Sequence, residues 1–315
     1  MPSSANQPDP VNHVMSFDIE DWFHIVDIPA VDDPDQWPEL SKQSSLVERY
    51  TDQVLELCRK HDVRATFFVL GWIAERHPDL VTRIAEAGHE LGSHSFWHRR
   101  VYALTPDEFL TDLQGSIDAI RAAAPGASLR GFRAPSFSIT PGTEWAFDVL
   151  REAGFRYDAS LFPGTRGHGG YACPPGPHVI QTPAGARLPE LPMSVAPIGA
   201  GPLRHRMCYS GGGYMRLLPE ALIRQGIQRE AAQGRGTVVY LHPRDFAPDC
   251  PRVPMPASRR FKCYVGLSST LNKLDRLLGS YEWTTCEDAL AHLMHPQQDG
   301  GEADADPSPA LGARP

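Results

Sequence analysis

The sequence predicts an α/β fold, and three of its features carry that reading. Short apolar runs alternate with segments of helical periodicity, and glycines and capping residues punctuate the helical segments. The acids and histidines best suited to chemistry come directly after the apolar runs, at the strand ends where α/β folds place their active sites. The first apolar run, residues 14–17, ends in Asp18, Glu20 and Asp21. Residues 46–61 have helical periodicity, and residues 65–70 (ATFFVL) have the aromatic and branched content of a strand, which completes a βαβ start. A helix over 78–87 stops at Gly88, and a short strand over 90–93 delivers His94. The next helix, 106–123, begins behind Thr105, with Glu108 placed to complete a capping box. A strand over 129–133 follows, then a helix over 141–153 ended by Gly154 and a strand over 155–158. Residues 159–215 are rich in Gly and Pro and read as long loops with a few short strands, suited to a substrate platform. A helix over 219–233, a buried strand over 237–241 ending at His242, a helix over 267–278 and a short strand over 282–285 complete the alternation.

The chain has 315 residues, 41% of them hydrophobic, enough to bury one large core. We expect one catalytic domain over 14–296, with a C-terminal extension at about 245–296, between a flexible N-terminus (1–13) and a disordered tail (297–315). Thirty Lys and Arg against 38 Asp and Glu leave a net charge of -8, so no basic face is set up to bind nucleic acid. The six cysteines form no CxxC pair, which argues against a zinc knuckle and for free thiols. The polar start lacks the pattern of a secretory signal, and no apolar run reaches the roughly 20 residues that span a bilayer; the expectation is a cytoplasmic protein without a transmembrane segment.

The sharpest motif is His94-Ser95-Phe96-Trp97-His98. Two imidazoles four positions apart on a helical turn face the same way and can share one metal ion. HxxxH also occurs as an ordinary surface or core pair, and its place after a strand is what favours the metal reading. The acids after the first strand can add a carboxylate, giving a two-His, one-carboxylate site with open positions for water and substrate. Asp18, Glu20 and Asp21 repel one another unless a cation or arginine compensates, and Arg133, which also follows a strand, is placed to hold one of them by a bidentate pair. His242, at the end of another strand, is a candidate general acid, with a structural histidine as the plainer alternative. His24 is a candidate for the shell around the metal. Trp22, Trp97, Pro135, Phe137, Tyr171 and Tyr214 are candidate sugar contacts, with Gly211-Gly212-Gly213 allowing close backbone approach; core packing is the alternative for each aromatic.

In order, SFDIED, HSFWH, RAPSF and YLHP resemble the motifs of carbohydrate esterase family four, the polysaccharide deacetylases with a chitooligosaccharide deacetylase homology domain. The resemblance covers roughly residues 14–293, and residues 261–278 resemble deacetylases of exosortase-linked exopolysaccharide clusters. It implies a distorted (β/α) barrel with fewer strands than a standard TIM barrel, one divalent metal, and hydrolysis of N-acetyl groups on the amino sugars of a glycan. Zinc is the expected metal, with cobalt, nickel, manganese or iron as alternatives. By motif match Asp18 is the base, Arg133 its partner, His94 and His98 metal ligands, and His242 the acid. The family's usual adjacent aspartate pair is broken here by Ile19, so the carboxylate ligand falls to Glu20 or Asp21, and a DxD-like spacing favours Glu20. Asp158, in Tyr157-Asp158-Ala159-Ser160, partly matches the motif that tunes the acid histidine. The implied partner is an N-acetylated glycan, with an association with membrane polysaccharide-assembly machinery. The rivals are a hydrolase of small ureides or cyclic amides on the same fold and a glycan-binding subunit without turnover.

Overall fold

The computed structural model describes residues 11–31, 33–164, 170–198 and 205–294. Its strands, in chain order, are β1 (His13–Ile19), β2 (Thr66–Val69), β3 (Glu90–Ser93), β4 (Leu129–Phe132), β5 (Tyr157–Asp158), β6 (His178–Gln181), β7 (Arg187–Glu190), β8 (Val195–Ile198), β9 (His205–Cys208), β10 (Val238–Leu241) and β11 (Trp283–Thr284). The main sheet runs β10-β1-β2-β3-β4-β5-β7-β6, with β11 also on β1, and β8 and β9 form a separate pair. Every neighbour in the main sheet is parallel except β6–β7. The sheet curls into a partial barrel, as expected, with helices outside it. Parallel strands buried on both faces read as unbroken apolar runs, which is why β1, β2 and β10 were legible in the sequence.

β1 lies at the centre, and it carries the acids. Ser16 pairs with Thr66 of β2 on one side and Tyr240 of β10 on the other, joining the first strand to one more than 220 residues later. All the parallel strands point the same way, so Asp18, His94, Arg133 and His242 emerge together at their C-terminal ends.

The helix at Pro106–Ala123 has the expected boundaries, and Thr105 and Glu108 make the reciprocal capping box. The helix expected over 141–153 starts later, at Trp145–Glu152, because Pro141 and Gly142 form a turn, Gly142 taking a φ of 96° and Thr143 hydroxyl capping Thr140. Residues 159–215 hold more structure than expected: four strands and a helix at Gly212–Leu217. β7, RLPE, hid itself because a proline and a buried acid interrupt the apolar signature. Helices at Trp37–Ser44, Gly71–Arg76, Ala257–Tyr264 and Cys286–Met294 were not anticipated. His13, assigned to a flexible N-terminus, begins β1, and its Nδ1 accepts from the Thr237 amide. Residues 1–10 and the tail 297–315 lie outside the described residues. No helix among the described residues is long and apolar enough to cross a membrane.

Candidate metal centre and catalytic cavity

Asp18 sits on β1, almost fully buried, and its Oδ1 accepts from Arg133 Nη1 at 2.8 Å. The bidentate pairing expected for Arg133 is not made. Nη1 also donates to the Ser16 hydroxyl, and Nε donates to the Ala159 carbonyl, so one fork nitrogen serves the acid and the rest ties β4 to its neighbours. The guanidinium lies over the Phe68 ring, 4.2 Å from its centroid. That ring has room because residue 92, on the adjacent strand, is glycine: a Cβ there would come within 2.5 Å of the Phe68 ring. A charged, buried arginine is thus held by an acid, a carbonyl, a hydroxyl and an aromatic face.

His94 and His98 do not share a helical turn. Residues 94–98 form a loop in which Ser95 and His98 both adopt left-handed conformations, with φ of 67° and 54°. Such backbone is costly for residues other than glycine and persists where the surroundings enforce it. Here Ser95 hydroxyl accepts from the His98 amide, and Asp112 accepts from the amides of Phe96 and Trp97. The loop brings the two rings to a centroid separation of 5.2 Å.

Glu20, His94 and His98 each offer a ligand atom, all within 4.8 Å of one another and all buried. The donor set fits a divalent metal. The backbone carbonyl of Arg133, 2.8 Å away, accepts a hydrogen bond from His94 Nδ1–H, leaving the Nε2 lone pair for a ligand. Burial lowers the His94 pKa to about 4, against the pull of Asp18, which keeps the ring neutral. Glu20 Oε2 lies 2.6 Å from His98 Nε2, and although burial opposes it, the neighbouring His98, His242 and His94 hold this carboxyl well below the usual range. A two-His, one-carboxylate set of this kind suits zinc and several first-row metals.

Asp21 turns elsewhere. Its carboxylate accepts from the amides of Trp22 and Leu46 and from Ser45 hydroxyl, and so caps the turn at Trp22–His24. His24 accepts from the Asp21 amide through Nδ1 and packs its ring 6.3 Å from that of His98.

His242 Nε2 stands 3.9 Å from Asp18 Oδ2 and 3.8 Å from Glu20 Oε1. Its other nitrogen meets Asp245 Oδ2 at 2.8 Å, and Asp245 is itself held by Arg216 Nε at 2.8 Å. Burial would lower the His242 pKa, but Asp245, Glu20 and Asp18 outweigh it and raise it to about 9. The acid beside His242 is therefore Asp245, not Asp158. Asp158 lies on β5, bonded to Ser160 hydroxyl and paired across the ladder with Glu190 of β7. Asp245 left one signal in the sequence, its place three residues after His242 at the start of a short turn, and Arg216 left none.

Asp18, Glu20, His94, His98 and His242 line one cavity of about 160 Å³, together with Ser136, Phe137, Gly212 and the buried Arg244. Ser136 and Phe137 add two more left-handed residues at its wall. Of the candidate sugar contacts, only Phe137 lines the cavity. Trp22 is buried with its indole bonded to the Ser44 carbonyl, and Pro135 is buried too, so neither presents a face to a sugar. Trp97 and Tyr214 are each 39% exposed, and Tyr171 is half-buried with its hydroxyl on Glu144.

Residues 35–157 match the polysaccharide deacetylase family, and residues 159–291 match a domain of unknown function, DUF3473. Over that first segment the chain is similar to the polysaccharide deacetylases. His94, His98 and Arg133 fall inside that match, whereas His242 and Asp245 come from the second one. Asp18 and Glu20 precede both matches, so β1 and the two matched segments together build one sheet and one cavity. A chitooligosaccharide deacetylase of Sinorhizobium fredii is 37% identical over 101 residues, 32% of this chain and 44% of the relative. A peptidoglycan-N-acetylglucosamine deacetylase of Bacillus cereus is 40% identical over 60 residues, 19% of this chain and 22% of the relative. The chain spans less than half the length of these curated relatives. In fold it is similar to a polysaccharide deacetylase structure from Mycobacterium smegmatis (TM-score 0.59, 18% identity, 100% of this chain and 97% of that one) and to an allantoinase (TM-score 0.58, 13% identity, 91% of each).

Proposed function

We propose that the protein is a metal-dependent hydrolase that removes N-acetyl groups from the amino sugars of a polysaccharide or oligosaccharide, with residues 14–296 acting as one catalytic unit. The observation that carries this reading is the convergence, in one small cavity, of the buried Glu20–His94–His98 cluster, the Asp18–Arg133 pair and the His242–Asp245 pair. An aspartate held by arginine and an imidazole held charged by an aspartate stand 3.9 Å apart there. They suit a general base and a general acid.

A divalent metal held by Glu20, His94 and His98, zinc in this proposal, supplies Lewis acidity at the acetamide oxygen when bound. Asp18 takes the proton of the attacking water, and Arg133 holds its carboxylate in place for that transfer. His242 gives its Nε2 proton to the departing amine, which leaves poorly unless protonated. Asp245 accepts from Nδ1 and stabilises the imidazolium, and Arg216 fixes Asp245. The products are acetate and a glucosamine-type sugar.

The wider setting is proposed on the sequence resemblance: cytoplasmic exopolysaccharide biosynthesis alongside membrane assembly machinery. The deciding experiment is acetate release from N-acetylglucosamine oligomers by purified protein, with chelator and with added zinc, alongside His94→Ala. Metal-dependent release, lost in the variant, is expected; no release from metal-loaded protein, with ring opening of a small ureide instead, would transfer the site to the amide-hydrolase reading.

A further inference from the structure

The opposite end of the sheet, where the strands begin, carries a second polar feature that deacetylation does not use. Arg130 lies in β4, Arg156 directly precedes β5, and Arg187 opens β7, so three adjacent strands start with arginine side by side. The backbone fixes this closeness, since the Arg156 amide donates to the Arg130 carbonyl at 2.7 Å. Arg151, from the helix that leads into β5, joins them around a cavity of about 280 Å³ closed on one side by Leu293 and Met294. Among the described residues no acidic side chain lines it.

Like charges on neighbouring strands disfavour the pairing that holds them together, and here little offsets them. Arg130 reaches Glu287, and Arg151 donates to the Phe155 carbonyl while its Nε is buried without a partner. Among the described residues Arg156 and Arg187 have no acidic partner. Four guanidiniums therefore face one carboxylate, in a chain whose net charge is -8. Three uncompensated cations around one concavity exceed what a single carboxylate ligand can neutralise, and guanidinium forks match the several oxygens of a phosphate.

We propose that this cavity is a binding site for a ligand bearing a phosphate or diphosphate group, separate from the catalytic cavity. The two are joined by β4, where three residues of strand, roughly 10 Å, separate Arg130 from Arg133. The phosphate group can belong to a free small molecule or to a lipid headgroup.

Calorimetric titration of the full-length, metal-loaded protein with inorganic pyrophosphate tests this, beside the surface variant Arg156→Gln/Arg187→Gln. The site predicts binding that weakens at least tenfold in the variant while acetate release from neutral oligomers stays unchanged. Co-sedimentation with phosphatidylglycerol–phosphatidylcholine vesicles is the second arm. Vesicle binding lost in the variant assigns the site to a lipid headgroup, and pyrophosphate binding without vesicle binding assigns it to a free phosphate ligand. Pyrophosphate affinity equal in both proteins would place that anion at the catalytic metal, and with no variant-sensitive vesicle binding the proposal is overturned. Because neither arm reads turnover, failure of the deacetylase reading leaves this test intact.

Discussion

Two pairs of buried groups on the same sheet treat an aspartate in opposite ways. Asp18, on β1, faces cations: Arg133 bonds it and His242 stands near. Asp158, on β5, faces another acid, Glu190, and among the described residues no arginine or lysine is bonded to either. Burial raises Asp158 to about 6, and burial together with the Asp158 charge holds Glu190 well above the ordinary carboxylate range, so a proton is retained at this pair. The lesson is that burial alone does not decide an acid's state; the sign of its nearest buried neighbour does. The cavity opens at the first pair, where an arginine bonds the acid.

Replacing the same residue type at the two places breaks the comparison open. Asp18→Asn is expected to lower acetate release by roughly 10²–10⁴-fold. It also leaves Arg133 as an uncompensated buried cation and should cost about 3 kcal/mol in urea denaturation. Wild-type turnover in that variant would remove Asp18 from the chemistry. Next in size, Glu20→Gln should weaken retention of metal after dialysis by at least ~10-fold, since even outer partners of a ligand matter that much. Elemental analysis reads it, and full metal content in the variant would count against Glu20 as a ligand.

Asp245→Asn sharpens the contrast at His242. With the imidazole at about 9, kcat/KM should fall as pH rises through that value and the acid loses its proton. Removing the Asp245 charge should move this alkaline limb down by ~1 unit or more; a limb that stays put would separate Asp245 from the acid. The smallest effect, and opposite in sign to the first, belongs to Asp158→Asn. The native state gains from holding the Asp158 proton below about pH 4, and that gain is lost as pH rises through about 6. The amide should therefore stabilise the fold at pH 8 by on the order of 1 kcal/mol and flatten stability between those pH values. Destabilisation by both Asp→Asn changes would erase the distinction between the pairs.

Much of this was legible in the sequence, for identifiable reasons. β1, β2 and β10 announce themselves as apolar runs because both faces are buried, and each ends at a residue of the cavity or its supports. His94 and His98 were read correctly as neighbours by the wrong geometry. A spacing of four is helical by default, and nothing local reveals that Asp112, distant in sequence, forces a left-handed loop. Asp158 was the candidate for tuning His242 because a motif match weighs sequence context, whereas the contact that Asp245 makes to His242 depends on a turn after β10. Trp22 looked like a sugar platform next to the acids, yet the turn that Asp21 caps rotates it into the core. Arg216 reaches Asp245 from a helix within the stretch read as loop, which no spacing rule connects to His242.

The central place of β1 has a consequence for how the protein is made. The strand bearing Asp18 is made more than 200 residues before β10 and β11, which complete one of its edges, and His242 directly follows β10. Pairing across so much chain is slow to form. A nascent chain that stops before β10 therefore holds Asp18, Glu20, His94 and His98 but lacks His242, the acid proposed above.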